Sequence, residues 1–116
     1  MPDLKKITTP DGTTYDLRDS KLSSLIAVGS FTIDNISIPA STVSGAKTKS
    51  VAKSGYTPLM IHVSLDNASS SGTNSSGCVA FTQSLSGNTA SVNIANRFNA
   101  AAKVKATITV IYVASS

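Results

Sequence analysis

The 116-residue sequence contains no Glu and no Trp, and it has a single Cys and a single His. Because Cys78 has no second cysteine to pair with, the chain cannot form an internal disulfide. Its position in the apolar run CVAF (78–81) indicates a small core residue rather than a reactive thiol. The absence of Trp, with only three Phe and three Tyr, disfavours the stacking of sugars on aromatic rings as the main basis of recognition.

Charged side chains are also scarce, at 14% of the sequence against roughly 25% in a typical globular domain. His62 has no Cys, Glu or Asp partner at a spacing typical of a metal site, so a zinc site would have to be built between chains. Residues 27–116 offer only Asp34 and Asp66 as side-chain carboxylates, and no serine lies in a nucleophile elbow. The sequence therefore predicts no enzyme activity, no catalytic residue, no metal site and no cofactor.

The formal net charge of +4 raises the question of nucleic-acid binding. The lysines are spread between apolar strand positions, however, and no basic run alternates with aromatic residues. No segment approaches the roughly 20 apolar residues that span a bilayer, and no secretory signal is recognisable. We therefore expect neither nucleic acid nor a membrane as a partner, and a chain made in the cytoplasm that stays soluble.

Residues 27–116 consist of short apolar segments separated by turn sequences such as SGA (44–46) and SGN (86–88). The predicted strands are 27–33, 36–40, 48–52, 58–65, 78–85, 89–95 and 104–113. A turn at DN (34–35) separates the first two of them. Short strands at this spacing predict an all-β, antiparallel β-sandwich, with a jelly roll as the favoured variety.

Alternation along the strands predicts which side chains face the core. In 58–65 the inward set is Leu59, Ile61, Val63 and Leu65, and the outward set is Met60, His62 and Ser64. In 104–113 the inward set is Val104, Ala106, Ile108, Val110 and Tyr112. The outward face of this last strand becomes apolar at Ile111 and Val113, so either another chain or the protein's own first region covers it. The candidate subunit interface is Met60, His62, Ile111 and Val113.

Residues 1–26 differ from the rest of the sequence in composition, because they hold four of the six side-chain carboxylates. The sequence TPDG (9–12) is a turn signal between two short alternating arms, which predicts a β-hairpin. Asp19 or Ser20 is a candidate cap for a short helix that would carry Leu22, Leu25 and Ile26 along one stripe. Such a hairpin is marginal in water, so we expect it to pack on a partner subunit or to fold back onto its own sandwich. The candidate attachment residues are Ile7, Asp11, Gly12, Tyr15, Asp16, Leu17, Arg18 and Asp19.

The segment DNASSSGTNSSG (66–77) is long for a connection between two strands. It is either a solvated loop or a recognition loop that offers hydroxyls and amides to a polar partner such as a sugar. The candidate receptor-binding residues are Asp66, Asn67, Ser70, Thr73, Asn74 and Ser76.

The phrase DGTTYD (11–16), followed by LRD (17–19), resembles a phrase that recurs in bacteriophage tail, baseplate and fibre proteins. The later pieces SGYTPL (54–59), VNIAN (92–96) and VIYV (110–113) are similar to carboxy-terminal domains of phage appendage proteins. The resemblance implies a homotrimer in a virion, assembled in the host cytoplasm, that contacts other virion proteins through residues 1–26 and carries a β-sandwich in residues 27–116. It also implies host cell-surface polysaccharide as a candidate ligand. The alternative is a stand-alone carbohydrate-binding β-sandwich module.

Overall fold

A computed structural model describes residues 6–8, 10, 12, 14–16 and 25–115 of this chain. Their regular structure is β, apart from one 3-10 turn at Ser75–Gly77. The strands are β1 (Lys6–Thr8), β2 (Thr14–Asp16), β3 (Ile26–Ile38), β4 (Thr42–Val43), β5 (Lys47–Ser50), β6 (Tyr56–Asn67), β7 (Cys78–Ser86), β8 (Thr89–Asn96) and β9 (Ala102–Ala114). The prediction of an all-β fold is confirmed.

All the strand pairs are antiparallel, and they form one hairpin and two larger sheets. In the first large sheet β9 is central, with β3 on one side and β6 on the other. In the second, β8 is central, with β7 along one edge and β4 followed by β5 along the other. The remaining strands, β1 and β2, pair only with each other in the described residues.

The two large sheets contribute to a single hydrophobic cluster, and β9 supplies more of its buried residues than any other strand. Every second residue of β9 from Ala102 to Tyr112 is buried, as the alternation predicts for a strand with one face on the core. From β8 the buried apolar residues are Ala90, Val92 and Ile94. Val51, which follows β5, is also fully buried and accepts a hydrogen bond from the Tyr112 hydroxyl at 2.5 Å.

The predicted turn at Asp34 and Asn35 is wrong, because β3 continues through these residues as one strand. Ile33 lies opposite Ala106 and Ile36 opposite Val104, so β3 carries one extra residue there, a β-bulge. Asn35 adopts a positive φ of 56°, which asparagine tolerates better than most residues. The Asp34 carboxylate accepts hydrogen bonds from the backbone N–H of Asn35 (2.8 Å) and of Ser69 (3.1 Å). These bonds hold the bulge in place.

A second bulge corrects the inward set predicted for β6. Pro58 pairs with Tyr112 and Met60 with Ile111, which leaves Leu59 as the extra residue. Pro58 is buried and Leu59 is exposed, so the prediction that Leu59 faces the core is wrong. Proline has no N–H for a ladder bond, which explains why the irregularity occurs there.

In residues 1–26, the predicted hairpin is confirmed where the structure describes it. Ile7 lies opposite Tyr15 in the β1–β2 pair, and Gly12 lies in the connection with a φ of 88°. The predicted helix does not include its last two residues, because Leu25 lies in a turn and Ile26 begins β3. The rest of that helix falls on residues 19–24, outside the described residues.

Candidate functional site: the outer face of the three-stranded sheet

The sheet β3–β9–β6 has one face on the core and one face turned away from it, here called the outer face. The register places its side chains in rows that cross the three strands in the order β3, β9, β6. From one end of the sheet these rows are Ile26–Val113–Thr57, Val28–Ile111–Met60, Ser30–Thr109–His62 and Thr32–Thr107–Ser64. Further along, Lys105 of β9 lies opposite Asp66 of β6.

Apart from Thr57, the first two rows form an apolar end, defined here as Ile26, Val28, Met60, Ile111 and Val113. Exposed fractions are 62% for Ile26, 66% for Val28, 57% for Met60 and 37% for Ile111. Leu25 and Leu59 are also exposed beside these rows. Single exposed apolar residues are ordinary, but a contiguous group of them marks a surface that contacts something else.

The apolar end continues into rows of hydroxyl side chains rather than into charges. With His62 counted as neutral, the four rows contain no charged side chain, and charge begins only at the Lys105–Asp66 pair. A cleft of about 50 Å³, lined by Met60, His62 and Ile111 among others, lies between the apolar and hydroxyl rows. It is large enough for the tip of one side chain but not for a small-molecule ligand.

Both edge strands of this sheet are long, and each pairs with β9 along one side only. On β6, part of the other side is covered, because the Gln83 side-chain carbonyl of β7 accepts a hydrogen bond from the Val63 N–H at 3.1 Å. Among the described strands, none pairs with the second edge of β3. Unpaired edges of this length are sites where another chain can add contacts.

The structure brings the four residues of the predicted subunit interface together. Met60 and Ile111 are directly opposite each other, His62 lies in the next row, and Val113 lies at the end of the same face. The sequence reasoning missed Ile26 and Val28, which are more exposed than Met60 and Ile111.

The sizes of the inward and outward side chains at this end of β3 explain why Ile26 and Val28 were missed. The inward positions at this end are Ala27 and Gly29, which are small, and the large residues point outward. An added Cβ on Gly29 would lie 3.0 Å from Cε2 of Tyr112, so the tyrosine ring fills the space that a larger inward side chain would need. The alternation of small and large residues in IAVG (26–29), read against the large Tyr112 on the facing strand, could have revealed it.

The segment 66–77 is folded against the sheet by backbone pairing. Thr73 and Lys103 exchange two backbone hydrogen bonds, of 3.1 and 3.0 Å, and the N–H of Ala68 also donates to the Lys103 carbonyl. Gly72 packs so closely that an added Cβ would overlap backbone atoms of Ala68. This segment therefore has one defined path.

Two of the predicted receptor-binding side chains in this segment make structural hydrogen bonds. The Asn67 carbonyl oxygen accepts from the Ser75 N–H at 3.1 Å, and the Asn74 amide donates to the Ala101 carbonyl at 2.8 Å. The other four are exposed: Asp66, Ser70, Thr73 and Ser76.

The predicted attachment residues are described only in part. Ile7, Tyr15 and Asp16 belong to the backbone of the β1–β2 hairpin, and Gly12 is exposed in its turn. The remaining four, Asp11, Leu17, Arg18 and Asp19, lie outside the described residues.

The other features of the described residues are weaker candidates for a functional site. The Cys78 thiol is half-buried and donates to the Asn74 carbonyl at 3.6 Å, and burial raises its pKa, which disfavours the reactive thiolate. An open depression of about 350 Å³ lies beside Ser41, Val43 and Arg97. Between residues 25 and 115, and in the hairpin positions described, no three metal-ligating side chains lie together. In that same part of the chain, no helix is long and apolar enough to span a bilayer.

Comparison of the chain with family models, with curated proteins and with solved structures gave no match.

Proposed function

We propose that this chain is a structural protein of a bacteriophage virion, a small trimeric component of a tail, baseplate, fibre or head appendage. The sequence resemblance supports the class of protein. The observation that carries the structural role is the outer face, which leaves Ile26, Val28 and Met60 exposed in two neighbouring rows of one sheet. Burying such side chains against another subunit is favourable because it removes apolar surface from water.

In this role residues 1–26 make the contact with other virion proteins. A two-stranded hairpin gains stability from a surface to pack on. The charged residues of this segment (Asp11, Asp16, Arg18 and Asp19) then set the register of that contact, because rim charges contribute to specificity more than to affinity. The particle would be assembled in the host cytoplasm, and the protein would act as part of the virion.

The same proposal includes the finer architecture of residues 27–116, a β-sandwich of the jelly-roll kind. Its support is that one hydrophobic cluster draws on both large sheets. Two hydrogen bonds also join the sheets or their flanks, from the Tyr112 hydroxyl to Val51 and from the Val63 N–H to Gln83. Sheets that pack face to face in this way build a core from both inner faces.

Light scattering on the purified full chain at micromolar concentration tests the assembly. We expect three times the mass of one chain, and a monomer would overturn the proposal. A truncated variant that lacks residues 1–19 tests the role of the hairpin. If this variant has the same number of subunits and the same melting temperature as the full chain, the role proposed for the hairpin is wrong, even if the full chain is a trimer.

A second candidate function is carbohydrate binding, as part of the virion or as a stand-alone module. The observation in its favour is that Ser70, Thr73 and Ser76 present exposed hydroxyls on a segment with one defined path. A glycan-binding screen should compare the full chain with a Ser70→Ala/Thr73→Ala variant and with Ser84→Ala, a matched hydroxyl loss on β7. Tight, loop-dependent binding by a monomer favours the module, whereas self-association without binding favours the structural role alone.

A further inference from the structure

We propose that the outer face, from the Ile26–Val113–Thr57 row to the Thr32–Thr107–Ser64 row, faces the three-fold axis of the proposed trimer and is covered there by the same face of the other two copies of this chain. This inference rests on the proposed function and deepens it, because it assigns the subunit contact to a defined surface. It adds the outward residues of β3 to the four residues that the sequence indicates. Ile26 and Val28 then lie within the contact, along its β3 side.

The distribution of charge favours a second copy over a charged partner. The described cationic side chains from β5 onward all lie outside the four rows: Lys47, Lys49, Lys53, Arg97, Lys103 and Lys105. The centres of protein interfaces are depleted of charge in the same way. A face without charge matches another face without charge, and self-association presents that match automatically. The Lys105–Asp66 pair stays at the rim, where water can solvate it.

The size of the surface decides how far the contact extends. Neighbouring strands lie about 4.8 Å apart and each residue advances about 3.3 Å along a strand. On this scale the two apolar rows cover far less than the roughly 800 Å² that each partner buries in a stable complex. The contact must therefore include the hydroxyl rows and reach the open edge of β3, which borders Ile26 and Val28 directly.

The hydroxyl rows are compatible with this burial. Threonine and serine side chains can hydrogen-bond to each other across an interface. The outward side chains of each row are also direct cross-strand neighbours, because the strands around Ser30, Thr109 and His62 pair with no bulge between them.

The test measures the accessibility of the face in the full chain. Cys78→Ser first removes the native thiol. Ser30→Cys is then placed in the third of the four rows, on β3, and Ser84→Cys on β7 of the second sheet. Both serines are exposed and both lie on strands, so the two variants are matched. The readout is the rate of thiol modification by a maleimide at several protein concentrations, with the mass measured in parallel.

If the face is the subunit contact, Ser30→Cys reacts about tenfold or more slowly than Ser84→Cys, because its thiol reacts only from the dissociated fraction. Dilution that lowers the mass should then remove the difference. An oligomer in which both thiols react equally fast overturns this inference but leaves the proposed function standing. A monomer in which both react fast overturns both.

One outcome points to a different occupant. A monomer with a slow Ser30→Cys thiol at every concentration would mean that the chain's own first residues cover the face, which also overturns the inference. A second pair of variants makes the same distinction without cysteine. Val28→Asp should dissociate the oligomer, whereas Val79→Asp, a comparable exposed valine on β7, should leave its mass unchanged.

Discussion

The inner and outer faces of the β3–β9–β6 sheet use the same three strands and similar side chains, yet their side chains have different surroundings. Val110 and Tyr112 on the inner face of β9 are fully buried, while Ile111 between them is exposed. Ala90, Val92 and Ile94 of the second sheet belong to the same hydrophobic cluster as the inner face. Nothing in the described residues covers the apolar end of the outer face in the same way. How much an apolar side chain on β9 stabilises the fold therefore depends on whether other residues pack against it, and not on its hydrophobicity alone.

The largest expected effect comes from truncating the inner face. Ile108→Ala should lower the free energy of unfolding by about 2–5 kcal/mol, because it removes a buried side chain and leaves a cavity. Ile111→Ala, on the same strand but the outer face, should cost well under about 1 kcal/mol in the dissociated chain. Urea unfolding of both variants at two protein concentrations measures this difference. Equal losses in the dissociated chain would mean that something within the chain covers the outer face.

The second expected effect concerns the end of the sheets opposite to the apolar end. Asn96 is buried, and its amide donates to the carbonyls of Ile38, Pro39 and Ala100 at 2.9–3.2 Å. Its own carbonyl accepts from the Phe98 N–H at 3.0 Å. Asn96→Ala leaves these backbone groups without their partner, so it should cost about 1–3 kcal/mol.

Asn93→Ala is the matched control for this substitution, since Asn93 is on the outward side of the same strand, β8. It should change the unfolding free energy by no more than about 0.5 kcal/mol. A thermal melt followed by circular dichroism compares the two. If Asn93→Ala were the more damaging change, the role assigned to the Asn96 amide would be wrong.

A smaller effect is expected where the inner face meets Val51. Tyr112→Phe keeps the ring but removes the hydrogen bond from its hydroxyl to the Val51 carbonyl, which should cost about 1 kcal/mol. Burial raises the pKa of the Tyr112 hydroxyl above its ordinary value of 10.0. The neutral hydroxyl therefore stabilises the fold fully below that value, and this stabilisation is lost as the pH rises through the higher pKa of the folded state.

Unfolding midpoints at neutral and alkaline pH test both parts of this prediction. The wild-type chain should lose more stability than Tyr112→Phe over the alkaline range, so the difference between them should shrink as the pH rises. A constant difference would show that the hydroxyl does not titrate with folding.

The same comparison of faces explains how much of the fold the sequence could predict. The inward residues of β8 and β9 follow from strict alternation, because a one-residue shift would expose the whole apolar set. The two errors at Asp34–Asn35 and at Leu59 occurred at bulges, where the period of two breaks. At Asp34–Asn35 a pair of turn-forming residues lies inside a continuous strand, held by a hydrogen bond to Ser69 that is distant in sequence. At Leu59 the neighbouring proline moves the alternation by one residue.

The candidate site was predictable for the same reason and only to the same extent. Met60, Ile111 and Val113 are apolar residues at polar positions of an alternating strand, a signal that sequence alone carries. Ile26 and Val28 were missed because their inward neighbours are small, and that size is set by the Tyr112 ring across the sheet. The path of residues 68–77 was not predictable either, since it depends on backbone bonds to Lys103 and on the close approach at Gly72.

The smallest expected effect lies at the bulge of β3. Hydrogen bonds from the Ser69 side chain and backbone, followed by the Asn35 backbone, hold the pKa of the Asp34 carboxyl below its ordinary value of 3.8. Because the folded-state pKa is lowered, the carboxylate stabilises the fold above the unfolded-state value, and this contribution is lost as the pH falls through the folded-state pKa. Asp34→Asn should therefore lower the melting temperature slightly at neutral pH. The difference from wild type should vanish in strong acid.

Asp66→Asn is the control, because it removes the same charge from an exposed position on β6. If the two variants have the same pH profile, the effect at Asp34 is one of net charge. If only Asp34→Asn differs from wild type at neutral pH and converges in acid, the carboxylate holds the bulge, and through Ser69 it also fixes the start of the 68–77 segment. That result would show that a local feature of β3 positions the loop that carries Ser70, Thr73 and Ser76.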